Sequence, residues 1–178
     1  MTEVSIVPLF VCHANCCRSV MARYLYQSMF PGSEALSAGI EVGEQINDRA
    51  AAMLQYWGVD GSAHRPRRVT RAMCDHAGAI FLMAPEHLQR LLQIHGADLA
   101  VKAFLFADPF VVPDSFVDGG YIVYDPSFET RPIEDLAREF EWFRRRIVEI
   151  HQSLAGGKPS LVPASRYLHL LPNPAPAC

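Results

Sequence analysis

Three cysteines lie close together in the stretch VCHANCCRS, residues 11 to 19, and an arginine and a serine follow them directly. Five residues separate the first of these, Cys12, from Arg18. A loop of that length can curl around a tetrahedral oxyanion, with the sulfur below it and the guanidinium across it. Arginine suits this task because its planar fork can bind two phosphate oxygens. The spacing therefore predicts a reactive cysteine in an anion-binding loop.

The flanking sequence predicts how this loop is held. The apolar run at 4–12 is typical of a buried strand, although Pro8 lacks a backbone donor and suggests an edge position or a local irregularity. Residues 18–30 have helical spacing, so amide groups at a helix N-terminus should point toward the loop and favour an anion there. In this arrangement Ser19 can hydrogen-bond a thiolate, and Asn15 can hold the loop through its side-chain amide.

A metal site and a purely structural role both account less well for the cysteine cluster. Metal ligands could come from Cys12, His13, Cys16 and Cys17, but structural zinc sites usually need a second ligand pair, and Cys74 stands alone. If the cysteines were only small buried residues, nothing would explain why Arg18, a charged residue, lies beside them in a site that should be shielded from water. We expect no metal in this loop.

Composition narrows the class of protein. The chain has 178 residues, of which 50% are hydrophobic, and a net charge of −3, which favours one folded domain and gives no support to a nucleic-acid-binding surface. Five cysteines is an odd number and disfavours a disulfide scaffold. Without a basic N-terminal segment or a long apolar run, we expect neither a signal peptide nor a membrane span, and hence a cytoplasmic protein.

The remaining sequence alternates strand-like and helix-like segments. Further strands are predicted at 35–39, 76–84 and 101–107, further helices at 47–58, 85–96 and 132–157, and an irregular segment at 108–132. Such alternation is typical of an α/β domain with a parallel sheet covered on both faces. We assign residues 1–157 to this domain and residues 158–178, with five prolines, to an extended C-terminal appendage.

The loop and its companions resemble the low-molecular-weight protein tyrosine phosphatases, whose phosphate-binding loop has the pattern V-C-x-G-N-x-C-R-S-P. Family-like motifs then follow in order: LSAGI (36–40), NDRAAAMLQYWGVDGSAHRPRRVT (47–70), AIFLMAPEHLQRL (79–91) and VYDPSFET (123–130). The likeness covers roughly residues 4 to 155. It implies a flavodoxin-like, three-layer sandwich with a mostly parallel four-stranded sheet and helices on both faces.

The resemblance also implies a mechanism without metal or organic cofactor. The Cys12 thiolate would attack phosphorus and form a cysteinyl-phosphate, while Arg18 and the amides of residues 13 to 18 would stabilise the equatorial oxygens. Asp125 would protonate the leaving group and later activate water. Asp108 also precedes a proline, but Asp125 lies nearer the final helix, as in the family.

Further loop and entrance positions follow from the same resemblance. The phosphate-binding loop would comprise His13, Ala14, Asn15, Cys16, Cys17, Arg18 and Ser19. Cys17 would be able to form a reversible disulfide with the nucleophile. Tyr124 and Phe128 would stack on an aryl substrate. The chain departs from the family pattern at four positions: it has Ala14 in place of glycine, Val20 in place of proline, Arg23 in place of an acid, and Ser127 in place of a frequent aromatic residue.

Four functions remain open at this point. The first is dephosphorylation of phosphotyrosine in proteins, and the second is hydrolysis of a small-molecule phosphate through an altered entrance loop. Arsenate reduction needs two further cysteines close together downstream, where only Cys74 precedes the terminus. A non-catalytic phosphate-binding module would need a lost nucleophile, arginine or acid. No nucleic-acid or membrane partner is expected, and the oligomeric state stays open.

Overall fold

A five-stranded sheet forms the centre of the protein. The computed structural model describes residues 6–107, 117–118, 122–123, 126, 130–156 and 161–166. The strands of the sheet are β1 (Pro8–Cys12), β2 (Leu36–Gly39), β3 (Ala79–Leu82), β4 (Ala103–Leu105) and β7 (Val162–Pro163). Their spatial order is β2-β1-β3-β4-β7, with the first four parallel and β7 antiparallel to β4. Two short strands, β5 (Val117–Asp118) and β6 (Ile122–Val123), form a separate antiparallel pair.

Six α-helices connect and cover these strands in the described part of the chain. They are α1 (Arg18–Met29), α2 (Asp48–Tyr56), α3 (Arg71–His76), α4 (Pro85–His95), α5 (Ile133–Glu139) and α6 (Glu141–Gly156). The Asn47 side chain caps α2 by accepting from the amides of Arg49 and Ala50. Proline at the first position of α4 matches its preference there, because that amide has no partner within the helix.

The two faces of the sheet bury different side chains. Successive residues of β1 point to opposite faces, so Phe10 and Cys12 belong to one core cluster and Leu9 and Val11 to the other. The first cluster is rich in aromatic rings and packs against α1, α2, α5 and α6; the second is aliphatic and packs against α3 and α4. Both faces are therefore covered, which is the predicted three-layer α/β architecture, and Cys12 lies on the face that carries α1.

Several local predictions were wrong. The strand that contains Pro8 is central, because β1 pairs with β2 on one side and β3 on the other. Proline is tolerated there because it occupies the first residue of the strand. The strand predicted at 76–84 begins only at Ala79, since Thr70 caps the short helix α3 just before it.

The C-terminal part also differs from its prediction. The helix predicted at 132–157 is two helices, α5 and α6, separated at Phe140. The sheet has a fifth strand beyond the predicted four, because Val162 pairs with Leu105 of β4. In the part of the chain that the structure describes, no helix is long and apolar enough to span a membrane.

Candidate active site

The loop of residues 13–17 connects the end of β1 to the start of α1, at the carboxyl edge of the parallel strands. Its carbonyl groups bind the segment that follows β2: the amides of Ile40, Glu41 and Gly43 donate to the carbonyls of Cys12, His13 and Ala14 at 3.0, 2.8 and 2.9 Å. In a planar trans peptide the next N–H points opposite to the carbonyl. The amides of His13, Ala14 and Asn15 therefore point away from that segment, and they donate to no other described residue. Such a row of amides can receive an anion.

Two glycines allow this close approach of backbone to backbone. A Cβ atom at Gly39 would lie 2.7 Å from the carbonyl oxygen of His13 and 2.8 Å from the carbonyl carbon of Ala14. A Cβ atom at Gly43 would lie 2.0 Å from Cys16 Sγ. Real Cβ atoms do not come so near to other heavy atoms, so a larger residue at Gly39 would displace the loop backbone, whereas at Gly43 it would require the Cys16 side chain to move.

The sulfur of Cys12 is buried at the base of the loop, with 3% of the residue exposed. Its Sγ lies 2.9 Å from Ser19 Oγ, and Asn15 Nδ2 donates to the same Oγ at 3.0 Å. Because Ser19 accepts from Asn15, its hydroxyl proton is available for the sulfur. A hydrogen bond of this kind favours the charged thiolate.

Asn15 holds the loop from its other side as well. The backbone amide of Arg67 donates to Asn15 Oδ1 at 3.1 Å, and His64 Nε2 donates to the Asn15 carbonyl at 2.8 Å. Asn15 is fully buried and has φ 55°, the positive backbone angle that asparagine tolerates better than most residues. Ala14, which stands where the family pattern has glycine, has no positive φ and so avoids that strain.

A cleft of about 710 Å³ opens over the loop. One wall consists of loop residues from Cys12 to Arg18, and Glu86, His87 and Arg90 at the start of α4 form part of another. Arg18 is only 9% exposed, so its guanidinium lies in a site that is largely shielded from water. Shielding strengthens its attraction for a bound anion.

His87 is a cleft residue that sequence reasoning missed. It is 4% exposed, and its pKa is lowered to about 3 by burial, with smaller contributions from the positive charge of Arg18 and from His13. The ring is therefore neutral at physiological pH. One signal could have indicated its place in the cleft. His87 comes shortly after β3, and the loop comes after β1; the carboxyl ends of neighbouring parallel strands meet at one edge of the sheet, so the two segments should lie close together.

Several predicted residues cannot be placed relative to this cleft. Asp125, Tyr124 and Phe128 lie outside the described residues, as do the alternative acid Asp108 and the departure at Ser127. Pro126, the described residue next to Asp125, is buried. The assignment of the general acid thus stays a prediction.

Cys74, the one described cysteine outside the loop, lies in a different part of the core. Cys74 belongs to the aliphatic core cluster, on the opposite face of the sheet from Cys12 and Cys17, and burial raises its pKa to about 11. It is an inert thiol at neutral pH. No cluster of three side chains that could hold a metal ion occurs among the described residues.

Comparison with known proteins identifies related sequences. The family profile described as low molecular weight phosphotyrosine protein phosphatase matches residues 8–116. The chain is 31% identical over 111 residues to a probable low molecular weight protein-tyrosine-phosphatase, EpsP, of Ralstonia nicotianae, covering 57% of this chain and 77% of that protein. It is also 30% identical over 118 residues to a protein-arginine-phosphatase of Geobacillus stearothermophilus, covering 59% and 79%.

Solved structures share the fold. The YwlE arginine phosphatase of Geobacillus stearothermophilus has a TM-score of 0.66 and 27% identity, over 84% of this chain and 92% of that one. The tyrosine phosphatase Wzb of Escherichia coli K30, solved with sulphate, has a TM-score of 0.68 and 18% identity, over 83% and 97%. The second likeness shows the three-layer fold alone.

Proposed function

The chain belongs to the low molecular weight protein-tyrosine-phosphatase family, and from that premise we propose that it hydrolyses phosphotyrosine in proteins through a phosphocysteine at Cys12. The observation that carries this proposal is the chain of contacts from Asn15 through Ser19 to the buried sulfur. It supplies a thiol whose charged form is stabilised beneath a row of inward-facing amides. Nucleophile and anion site then share one loop.

The proposed reaction has two steps. In the first, the Cys12 thiolate forms a bond to phosphorus while the ester P–O bond breaks, and Asp125 gives its proton to the leaving phenolate. Arg18 and the loop amides stabilise the charge on the three equatorial oxygens. In the second step Asp125 takes a proton from water, which attacks phosphorus and releases Cys12 as a thiolate. When an oxidant such as a peroxide converts the Cys12 thiolate to a sulfenic acid, the thiol of Cys17, in the same loop, would displace water from it and form a disulfide, which protects the nucleophile from deeper oxidation until a cellular thiol reduces it.

A second substrate class is supported by the comparisons. The relative from Geobacillus stearothermophilus, a protein-arginine-phosphatase, is nearly as similar as the tyrosine phosphatase from Ralstonia nicotianae. Glu41 and Glu86 line the cleft and could accept hydrogen bonds from a guanidine leaving group. Parallel assays with phosphotyrosine and phosphoarginine peptides would show which leaving group the cleft prefers, and a small phosphorylated metabolite stays the third alternative.

Two of the remaining alternatives lose support. A thiol relay for arsenate reduction would need cysteines near the loop, and the one further cysteine in the described chain, Cys74, is buried on the other face of the sheet. A non-catalytic binding module is disfavoured by the contact between Ser19 and Cys12, which binding alone does not require.

We also propose a division of the chain and a compartment. Residues 1–157 would carry the catalytic activity, and residues 158–178 would be an extension, of which Val162–Pro163 joins the sheet edge. The protein would act in the cytoplasm, where a reducing environment keeps a reactive thiol free.

The test is hydrolysis of para-nitrophenyl phosphate across pH by the wild type, Cys12→Ser and Asp125→Ala. We expect no measurable turnover in the serine variant and a loss of about 10²-fold or more in the aspartate variant. Cys74→Ala and Asp135→Ala are the matched controls, since each removes the same group elsewhere, and both should stay active. Full activity in Cys12→Ser would refute the phosphocysteine.

A further inference from the structure

Three arginines lie together on the outer side of Asn15. Arg67 anchors the loop through its backbone amide, and its Nε donates to the Ser37 carbonyl at 2.9 Å. Arg65 donates to the His64 carbonyl at 2.8 Å. The guanidinium carbon of Arg23 lies 5.1 Å from the centroid of the Tyr24 ring, and that ring meets the His64 ring edge-on, with 6.0 Å between the centroids. We call Arg23, Arg65 and Arg67 the arginine patch.

The arginine patch has no counter-ion among the described residues. Six arginines elsewhere in the described chain lie within 3.2 Å of a carboxylate oxygen: Arg68, Arg71, Arg131, Arg138, Arg144 and Arg146. Among the described residues, Arg49, Arg145 and Arg166 have no such partner, but each of these is isolated in the sequence from the patch. The chain has 19 acidic residues, so the unpaired charges of the patch do not reflect a general lack of carboxylates. What distinguishes the patch is that three arginines without a carboxylate partner in the described chain surround one buried histidine, His64, which is bonded to the phosphate loop through Asn15.

The charges of the patch act on one another and on His64. The pKa of Arg67 is lowered by burial and then by repulsion from Arg23. The pKa of His64 is lowered chiefly by burial and further by the charges of Arg23, Arg67 and Arg65. Like charges held together in this way destabilise the fold unless an anion joins them.

Polar atoms within the patch also lack partners. His64 is 2% exposed; its Nε2 donates to Asn15, while its buried Nδ1 has no hydrogen-bond partner among the described residues. The buried Nε of Arg23 likewise has none. Because the ring proton of His64 is on Nε2, its Nδ1 is an acceptor and gives no support to an anion, whereas Arg23 Nε is a donor. Buried donors are normally satisfied, so this donor, together with the three unpaired positive charges, indicates a place for an anion.

We propose that the arginine patch binds an acidic segment of the phosphorylated protein substrate, next to the residue whose phosphate lies in the loop. The proposal rests on the proposed function and adds to it a preference for carboxylates near the phosphorylated side chain. Asn15 links the two regions: it lies only three positions after Cys12, so the two Cα atoms are at most about 11 Å apart. An extended substrate spans that distance in three or four residues.

Arginine suits this role because its fork binds carboxylates in two-point contacts. Arg23 makes the patch a property of this chain, since the family pattern has an acid in this turn of α1. An acid there would place a negative charge near Arg67 and lower the net charge of the three positions from +3 to +1. Arginine at this position instead adds a positive charge to the patch.

The experiment compares two phosphotyrosine peptides that are identical except that one has Asp and Glu, and the other Asn and Gln, around the phosphorylated residue. The measured quantity is the ratio of kcat/KM for the acidic peptide to that for the neutral peptide. We expect a ratio of about ten for the wild type at low salt, falling toward one as salt screens the charges. Arg23→Glu should bring the ratio to one or below, because the new carboxylate lowers the net charge of the patch and repels the acidic peptide.

The matched control is Arg145→Glu, the same charge change at an exposed position of α6. It should keep the wild-type ratio. Equal use of both peptides by the wild type, a ratio unchanged in Arg23→Glu, or a ratio lost equally in Arg145→Glu would each overturn the proposal. Circular dichroism would verify that each variant is folded.

A second arm separates this proposal from the proposed function. Binding of both peptides to Cys12→Ser, measured by fluorescence anisotropy, tests the patch without turnover. If the wild type hydrolyses para-nitrophenyl phosphate and has the same kcat/KM for both peptides, the role of the patch is refuted and the proposed function stands. No hydrolysis of any substrate, together with tighter binding of the acidic peptide, refutes the proposed function and retains the patch.

Discussion

Asn15 separates two polar regions that the fold treats in opposite ways. On the cleft side its amide binds Ser19, which in turn contacts the Cys12 sulfur, so the polar groups are linked in series. On the outer side Arg67 and His64, both in the segment between α2 and α3, hold Asn15, yet the charges of Arg23, Arg65 and Arg67 have no carboxylate partner among the described residues. The first region is arranged before a substrate arrives, whereas in our proposal the charges of the second are paired only when an acidic substrate segment is bound.

The shared residue makes this contrast testable. A change at Asn15 should disturb both regions, whereas a change at Ser19 should disturb only the cleft side. The pH dependence of stability, through the buried residues His87 and His64, reports the electrostatics of the cleft side and the outer side. The expected effects decrease in that order.

Replacing Asn15 with alanine should have the largest effect. The substitution removes the side-chain bonds to Ser19 and to the Arg67 amide and places a Cβ residue without a polar group at φ 55°. We expect kcat to fall by about 10²-fold or more and the free energy of unfolding to fall by about 2–4 kcal/mol. Steady-state assays and urea unfolding measure the two quantities.

Asn15→Gly is the control that separates backbone from side chain. Glycine adopts the positive φ without strain, so it should recover part of the stability but little of the activity. Wild-type kcat in Asn15→Gly would show that the amide does not organise the loop.

Much of this region could be predicted because its causes are local. The strand, the five-residue loop and the helix follow one another in the sequence, and Cys12, Asn15, Arg18 and Ser19 lie within eight positions. Contacts at such short separations follow from the strand–loop–helix geometry alone. The ordered motifs around the loop were also enough to predict the family and the α/β architecture.

The rest depends on contacts between distant segments. His87 enters the cleft because β3 lies beside β1, and a sequence pattern does not state the strand order. The pairing of Val162 with Leu105 joins residues that are far apart in the chain. The break at Phe140 falls inside a continuous amphipathic pattern, so periodicity could not indicate it.

Ser19→Ala tests the cleft side alone and should have a smaller effect. Loss of the hydroxyl removes the hydrogen bond that stabilises charge on the Cys12 sulfur, while Asn15 keeps its bond to the Arg67 amide. We expect kcat for para-nitrophenyl phosphate to fall by about 10- to 100-fold, and alkylation of Cys12 by iodoacetamide to slow at neutral pH.

Ser37→Ala is the matched control, because the buried Ser37 hydroxyl has no hydrogen-bond partner among the described residues. It should leave both rates close to those of the wild type. An unchanged alkylation rate in Ser19→Ala would mean that the serine does not stabilise the thiolate. It would contradict the inference that the cleft-side contacts prepare Cys12 for reaction before a substrate binds.

The smallest effect should appear in the pH dependence of stability, through His87 on the cleft side and His64 on the outer side. Both pKa values are lowered in the folded protein, so the unfolded chain binds more protons below about pH 6.5. Their contribution is therefore complete above pH 6.5 and is lost as the pH falls toward the folded pKa, which for His87 is about 3. Between pH 7.5 and 5.5, His87 alone should account for a loss of about 1.4 kcal/mol in the free energy of unfolding. Urea unfolding at the two pH values should show that loss in the wild type and in the exposed control His76→Gln, but a smaller one in His87→Asn. The opposite result is that His87→Asn keeps the full decrease in the free energy of unfolding while His64→Gln reduces it. In that case His64, beside the arginines of the outer side, makes the larger contribution to the pH dependence of stability.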